Sequence, residues 1–450
     1  MDEVGSWLRA NATPLLTIDP DEDFADLAAL RDMVGDARVV AIGESTHRVH
    51  EFYQIRHRVA RFLLAELGFT AFVMESGFPE GLAVNEWVAG GPGDIDELLR
   101  HGITYQMGRC VEMREQLEWM RSYNATHARQ VHIYGMDLPD SSASALPAIR
   151  SALEYLDVAD PAYARAVRDR LVPMYDYLPT DRAGLAWPAP TIQAYLAQEP
   201  AVRFEMTARI VELAERMRAM RPVYTGRTDP ETFEVAYRCA VTAQHAAAFL
   251  QAAAAGAERT YAGANIRDAA MADNVEWILN REDRIVIGAA NGHIQRWPFS
   301  APPIVNEPLT MLGQHLTDAL GEQVRVIGSS FGGGELFLHR PLPDAPPGHT
   351  QTFVEELRLP DPNSLDELLA TAGMPRYLLD LRTVPSTGPI ADRFAAATSI
   401  MTGSQATPVN PTAAFDVVVY IDTVTPWHHL LDQPSGAAQR TWNGMERLPR

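Results

Sequence analysis

Acidic residues and histidines collect directly after short apolar runs of this sequence. A histidine that is neutral near pH 7 can take a proton from water, and a neighbouring carboxylate can fix its tautomer and stabilise the imidazolium that forms. Together these residue types indicate general acid–base chemistry. The residues that follow the apolar runs are Glu44, His47, Glu75, Met136, Asp137, Asn291 and His293.

The first of these groups has the spacing that such chemistry needs. Glu44 and His47 are three residues apart across a predicted turn, so the carboxylate and the imidazole can meet directly. Arg56 follows on a predicted helix, where it could stabilise an oxyanion or hold a carboxylate through two hydrogen bonds. We predict catalytic roles for these three residues and for Glu75 and His293. The predicted substrate-binding residues are Arg48, Met136, Asp137 and Asn291.

Each of these residues also has an ordinary structural explanation. An acid at a strand end often caps the following helix, a single histidine is often a satisfied polar residue, and an arginine on a helix can simply face solvent. A functional role is favoured because four predicted strands would bring these side chains to one edge of a sheet. In open α/β folds, ligands bind at that edge.

Other kinds of catalytic site have weaker support. Ser45 and Ser76 flank the acids, but neither lies in the G-x-S-x-G motif of a nucleophile elbow. Cys110 lacks the surroundings of a cysteine hydrolase. Three residues could bind a metal by ligand type, although no two of them are closely spaced and the sequence has no H-E-x-x-H motif; they are His47, Glu75 and His293. We predict that the protein uses no metal and no other cofactor.

The composition is that of a large acidic chain without lysine. Its 450 residues include 38 basic and 58 acidic ones, for a formal net charge of −20, and every basic residue is an arginine. Such a chain repels nucleic acid and anionic membranes, so we expect a small-molecule substrate as its partner. The sequence shows no secretory signal and no membrane-spanning apolar stretch, which favours a cytoplasmic protein. A monomer is compatible with the sequence.

Seven short apolar runs predict the strands that would carry the acids and histidines. Most of them lack in–out alternation, which is typical of parallel strands covered on both faces. Between the first two runs, apolar residues recur every three or four positions over residues 52–67, as in a helix. This order predicts an α/β fold with a central, mostly parallel sheet flanked by helices. The predicted strands are residues 38–42, 69–74, 130–134, 284–288, 323–327, 377–381 and 416–421.

Strand patterns are absent from residue 144 to about residue 262. We therefore predict a helical insertion or cap at 144–262, between an N-terminal part of the α/β core at 1–143 and a C-terminal part at 263–450. Proline-rich linkers are predicted at 341–349 and 383–389, and a mobile loop at 398–411. The predicted helices of the insertion are residues 161–177, 192–198, 201–220 and 230–255.

An ordered series of short motifs extends through nearly the whole chain, from about Val39 to Pro426. The motifs are V-A-I-G-E-S-T-H at 40–47, Arg56, L-G-F at 67–69, Glu75, R-D-A-A-M-A-D-N-V at 267–275, N-G-H at 291–293, Y-L-L-D-L-R at 377–382 and the segment 415–422. In these motifs the chain resembles the erythromycin esterase family.

The resemblance implies an α/β hydrolase that opens a macrolide lactone without a metal. It also implies a histidine that acts as general base on water, rather than a serine that forms a covalent intermediate. By position, the family's base corresponds to His47 and its supporting acids to Glu44 and Glu75. Its arginine corresponds to Arg56, and a second active-site histidine to His293.

Two positions depart from the family's motifs. The usual G-E-x-T-H-G ends here in Arg48, and the usual A-H-N-G-H has Ala290 as its second residue. We expect the arginine to lower the pKa of His47. Loss of an imidazole at 290 would slow the reaction roughly 10²–10⁴-fold if that group were catalytic.

The sequence thus predicts a metal-independent hydrolase of an ester or lactone in a bulky, macrolide- or polyketide-like molecule, with a role in antibiotic resistance or biosynthesis. An alternative on the same scaffold is a biosynthetic enzyme that catalyses intramolecular acyl transfer, cyclisation or elimination while water is excluded. A third hypothesis is a catalytically silent protein that binds a ligand in the same cleft.

Overall fold

The computed structural model describes residues 3–179, 189–255, 260–303, 305–341, 350–357 and 361–430. The strands of this part are β1 (Thr13–Pro14), β2 (Val39–Glu44), β3 (Ala71–Gly77), β4 (His132–Asp137), β5 (Ile285–Ala290), β6 (Phe299–Ala301), β7 (Val305–Leu309), β8 (Val324–Pro341), β9 (Thr350–Leu357), β10 (Arg376–Asp380), β11 (Ser399–Thr402), β12 (Gln405–Pro408) and β13 (Val417–Val424). Nine of them form one sheet in the order β1-β10-β13-β8-β2-β5-β3-β4, with β9 paired to β8.

The centre of this sheet is parallel. Every pair from β13 through β8, β2, β5 and β3 to β4 is parallel, whereas β1, β9 and β10 join their neighbours in the antiparallel direction. All residues of β2 and β3 are buried, because helices pack on both faces. The predicted α/β fold is confirmed, and each of the seven predicted strands is present with shifted ends.

The helices of the described part cover the two faces of the sheet and form a separate block between β4 and β5. They are α1 (Glu3–Asn11), α2 (Leu30–Val34), α3 (His50–Glu66), α4 (Phe78–Val88), α5 (Ile95–His101), α6 (Val111–Thr126), α7 (Pro139–Ser142), α8 (Leu146–Ala159), α9 (Pro161–Leu171), α10 (Ala189–Leu196), α11 (Pro200–Arg227), α12 (Pro230–Ala254), α13 (Thr260–Leu279), α14 (Asn291–Ile294), α15 (Leu312–Leu320), α16 (Leu365–Ala370), α17 (Pro389–Ala396) and α18 (Pro411–Ala414). Among them, none combines the length and the apolar character needed to cross a membrane.

Alternate residues of the central strands fill two different cores. Along β2, Val40 and Ile42 belong to the core that includes α3 and α6, whereas Val39 and Ala41 belong to the core that includes α13 and α15. A third core lies within the helical block, where α8, α11 and α12 pack on one another. The four helices predicted there are present as α9 to α12, and the division of the chain into domains stays a prediction.

The segment predicted as a mobile loop at 398–411 has a different structure. It forms the hairpin of β11 and β12 and the start of α18, so the prediction of a loop is wrong, whereas its mobility stays a prediction. The amide of Met401 donates to the buried carboxylate of Asp366 at 2.7 Å, and the amide of Gly403 donates to the carbonyl of Ser45 at 2.9 Å. The hairpin is therefore attached to the loop that carries His47. Of the two predicted linkers, 383–389 joins β10 to α17, and 342–349 lies outside the described residues.

Candidate active site

Four neighbouring parallel strands end side by side and bring the predicted residues to one edge of the sheet. Glu44 is the last residue of β2, Asp137 is the last residue of β4, and Glu75 lies two residues before the end of β3. Ala290 ends β5 directly before α14, which carries His293. Because β2, β5, β3 and β4 are adjacent and parallel, their carboxyl ends form a single rim.

The first cluster on this rim joins Glu44, His47 and Arg56. Nδ1 of His47 lies 2.6 Å from Oε1 of Glu44, and Nη1 of Arg56 donates to Oε2 of the same carboxylate at 3.3 Å. Arg56 is buried, with its guanidinium 4.1 Å from the ring centre of Tyr53. The side chain of His47 is 41% exposed, and its Nε2 makes no hydrogen bond within the part of the chain that the structure describes. Glu44 thus orients the imidazole with one nitrogen open to the rim.

The surroundings of His47 make it a stronger base than a free imidazole. Burial lowers the pKa of His47, but the hydrogen bond and charge of Glu44, together with the charge of Glu75, raise this pKa above its ordinary value of 6.5. Arg48 has the smallest of these effects. Arg48 lowers the pKa of His47, as expected, but the two carboxylates outweigh this one guanidinium, so the pKa is raised overall.

The second cluster is centred on Arg267 of α13. Its Nε donates to the two carboxylate oxygens of Asp137 at 3.0 and 3.1 Å, and its Nη2 donates to Oε1 of Glu75 at 3.0 Å. The ring of Tyr105 lies against the guanidinium, 5.3 Å from its carbon. Asp137 is fully buried and holds Arg267, whereas its predicted role in substrate binding stays a prediction.

His293 lies between two buried carboxylates. Its Nδ1 is 2.8 Å from Oδ1 of Asp268, and its Nε2 is 3.2 Å from Oε1 of Glu75. Burial lowers the pKa of His293, but Asp268 and Glu75 outweigh burial and the charge of Arg267, and raise this pKa to about 10. At neutral pH His293 is therefore an imidazolium, which cannot serve as a general base.

Glu75 connects the two clusters. Its Oε2 accepts a hydrogen bond from the amide of Ala290 at 2.9 Å. Burial raises the pKa of Glu75, but the charges of His293, Arg267 and His47 hold this pKa well below its usual range. The carboxylate is therefore ionised across the physiological pH range. Although the side chain at position 290 is only a methyl group, the backbone amide there holds Glu75 in place.

Two other predicted binding residues do not reach the rim. Met136 is fully buried in the apolar core. The side chain of Asn291 binds the backbone of Ser329: its Nδ2 donates to the carbonyl at 2.7 Å, and its Oδ1 accepts from the amide at 3.0 Å. A substrate-binding role for these two side chains stays a prediction, and neither contact supports it. A Cβ at position 43 would lie 2.1 Å from Oδ1 of Asn291, so this clamp requires glycine before Glu44.

A sequence model of the family described as erythromycin esterase matches residues 64–424. The chain belongs to the erythromycin esterase family. With this, the predicted family and the prediction of an ester-hydrolase enzyme are confirmed. The Escherichia coli erythromycin esterase type II is 26% identical over 84% of this chain and 89% of its own length, and the type I enzyme of the same organism is 24% identical over 72% and 78%.

Solved structures show the same fold. A protein from Bacillus cereus superposes with a TM-score of 0.78 at 22% identity, covering 95% of this chain and 98% of its own. A histidine-to-asparagine mutant of the erythromycin esterase EreC, in its open conformation, superposes with a TM-score of 0.75 at 20% identity, covering 94% and 99%. At these identities the likeness concerns the fold alone.

Arg48 occupies a position where the family's motif has glycine, and the backbone conformation at this position is one that favours glycine. Its φ is 66°, in the left-handed region that an L side chain enters at a cost. Its guanidinium carbon lies 5.8 Å from the ring centre of Trp427, and its carbonyl accepts the amide of that residue at 2.9 Å. A substrate-binding role for Arg48 stays a prediction.

Two substitutions at this position separate backbone strain from side-chain contacts. Arg48→Gly and Arg48→Ala both remove the guanidinium, but only glycine adopts a positive φ freely. We expect the glycine variant to be more stable than the alanine variant by about 1 kcal/mol. Urea unfolding of the two variants measures this difference, and equal midpoints would show that the left-handed backbone carries no strain.

The sequence did not identify Arg267, Asp268 or Tyr105 as site residues. Arg267 and Asp268 stand next to each other in a motif that the family resemblance included, and a charged pair within a largely apolar helix is a signal that could have been used. Tyr105 has a left-handed backbone, with a φ of 56°, and its hydroxyl lies 2.7 Å from that of Ser142. No sequence pattern indicated that contact.

Proposed function

We propose that this protein hydrolyses an ester or lactone bond in a bulky, macrolide- or polyketide-like molecule, with His47 as general base on water. The observation that carries the proposal is the imidazole of His47, which is fixed through Nδ1 by the buried Glu44 while Nε2 is open at the rim. The names of the two Escherichia coli relatives, erythromycin esterases, support a macrolide as the substrate class.

In the first step, water attacks the carbonyl carbon of the ester while Nε2 of His47 takes one of its protons. The imidazolium that forms lies 2.6 Å from Glu44 and is also favoured by the charge of Glu75. Two fixed carboxylates thus stabilise the charge that develops on the base, without solvent reorganisation. In the second step, His47 returns this proton to the leaving alkoxide, which gives a carboxylic acid and an alcohol.

The oxyanion of the tetrahedral intermediate needs a hydrogen-bond donor. Nη1 of Arg267 lies 3.2 Å from Nε2 of His293. A charged His293 cannot accept a hydrogen bond, so this nitrogen of Arg267 keeps N–H groups without an acceptor among the described residues. We assign the oxyanion to this nitrogen. Asp137 and Glu75 hold the guanidinium in place, so the donor is oriented before substrate binds.

Mass spectrometry of the products tests the reaction type. The purified protein is incubated with a panel of macrolides, simple aryl esters and linear polyketide thioesters, with and without a chelator. A gain of one water without loss of rate under the chelator supports metal-independent hydrolysis. An isomeric product, or the loss of one water, supports the alternative of cyclisation or elimination. The observation that favours this alternative is alanine at position 290, which leaves Glu75 without a neighbouring imidazole there.

The dependence of hydrolysis on pH follows from the two histidines. The rate requires a neutral His47, so kcat/KM is expected to rise with pH through a pKa above 6.5, and to fall again as His293 loses its proton near pH 10. Glu44→Gln removes the charge that raises the pKa of His47, so the acidic limb should move to lower pH. The exposed Glu97→Gln is the control; an acidic limb at the same pH in both variants would contradict the assignment.

A further inference from the structure

A strap of residues 425–430 crosses the starts of two helices beside the rim. The amide of His50, at the start of α3, donates to the carbonyl of Thr425 at 2.9 Å. The amide of Val111, at the start of α6, donates to the carbonyl of His428 at 2.8 Å. Backbone contacts therefore fix the position of His428 relative to both helices.

Three ligand-type side chains meet where the strap crosses. Nδ1 of His50 and Nδ1 of His428 lie 2.7 and 2.8 Å from the same oxygen, Oε1 of Glu112. The two imidazole rings are nearly perpendicular, with their centres 4.7 Å apart. The three candidate ligand atoms all lie within 4.8 Å of one another. They come from three different elements, so none of these distances is imposed by short sequence spacing.

The charges and the exposure around this cluster suit a dication. Glu112 is buried, whereas the side chain of His428 is 64% exposed, which gives an ion access from solvent. Glu51 and Glu115 add negative charge near His50. Glu51 is also fixed to the strap, because its carboxylate accepts the amide and the hydroxyl of Thr425 at 2.7 and 2.8 Å.

We propose that His50, Glu112 and His428 form a zinc site that ties the strap to α3 and α6. Two imidazole nitrogens and one carboxylate oxygen are a common ligand set for Zn²⁺, with water in the fourth position. Metal–ligand distances of about 2.0–2.2 Å require the nitrogens to move away from the carboxylate oxygen by a few tenths of an ångström. This site is separate from the residues that act on the ester.

Zinc binding to the metal-stripped full-length chain tests the site. The protein is treated with EDTA, desalted and titrated with ZnCl₂ in a calorimeter. We expect one tight equivalent per chain and a rise in Tm with zinc. His428→Ala removes an exposed ligand that the fold does not need, and the affinity should fall at least about tenfold. In Co²⁺-loaded protein, the intense visible bands of tetrahedral coordination should be lost in the same variant.

A matched control is His127→Ala, which removes an exposed imidazole from the other end of α6. This variant should bind zinc like the wild type. Glu112→Gln keeps the shape of the buried ligand and removes its charge, so it should weaken zinc binding even if the fold tolerates it fully. Wild-type affinity in His428→Ala, or the absence of a tight equivalent in the wild type, would show that the cluster is only hydrogen-bonded and would overturn the proposal.

Discussion

Replacing His47 with alanine is expected to lower kcat for ester hydrolysis about 10²–10⁴-fold with little change in Tm. The reason is that no other described group on the rim combines an open nitrogen with an orienting carboxylate, as His47 does with Glu44. The side chain is partly exposed, so its removal leaves a space that solvent already reaches. Steady-state kinetics on the best substrate of the panel measures the loss.

Added imidazole distinguishes a missing base from a damaged site. Because the space left by His47→Ala opens to solvent, free imidazole should restore part of the rate, increasingly so as the pH rises and more of it is neutral. His101→Asn, an exposed histidine of α5, is the control for general effects of losing an imidazole. Full activity in His47→Ala, or no recovery with imidazole at any pH, would contradict the role of His47 as a general base.

Replacing Glu75 with glutamine is expected to lower kcat at least about 10²-fold. The carboxylate accepts hydrogen bonds from Arg267 and from the amide of Ala290, and it faces Nε2 of His293. An amide of the same shape must point its NH₂ group toward one of these donors, so at least one hydrogen bond is lost. The imidazolium formed on His47 also loses one of its two stabilising charges.

A partly buried glutamate of the neighbouring helix provides the control for this substitution. Burial raises the pKa of Glu80 to about 8, so this side chain is mostly uncharged at pH 7 and glutamine resembles its native state. Glu80→Gln should leave kcat unchanged. In Glu75→Gln, an NMR titration should also show a lower pKa for His293, which a purely structural role of Glu75 would not cause. An unaltered kcat together with an unaltered pKa of His293 would contradict the proposed role of Glu75.

The fold and one half of the site could be predicted from the sequence because they depend on local patterns. Continuous apolar runs indicated the parallel strands, and the residues directly after them indicated the rim. Glu44 and His47 are close in sequence, so their contact required only a turn. Glu75 was placed correctly for a similar reason, since a strand end and the direction of the sheet determine where it lies.

The remaining features depend on contacts that no local pattern shows. Arg267 meets Asp137 only because α13 packs beside β4, and the two residues are far apart in sequence. Met136 and Asp137 are neighbours in a strand, so their side chains point in opposite directions. A shift of the strand by one residue would exchange the side chain that faces the apolar core. The hairpin at Ser399–Thr402 and Gln405–Pro408 was predicted as a loop from its small and polar residues, because the buried Asp366 that holds it lies elsewhere in the chain.

The loop that carries His47 is held by late parts of the chain, and this has a consequence for biosynthesis on the ribosome. The amide of Ser45 donates to the hydroxyl of Ser329, its carbonyl accepts from Gly403, and the carbonyl of Arg48 accepts from Trp427. A nascent chain can form the helices and the first strands early, because domains fold as they emerge. Esterase activity, however, should appear only after residue 427 has left the exit tunnel, so the proposed catalytic base is among the last groups of this enzyme to reach its working position.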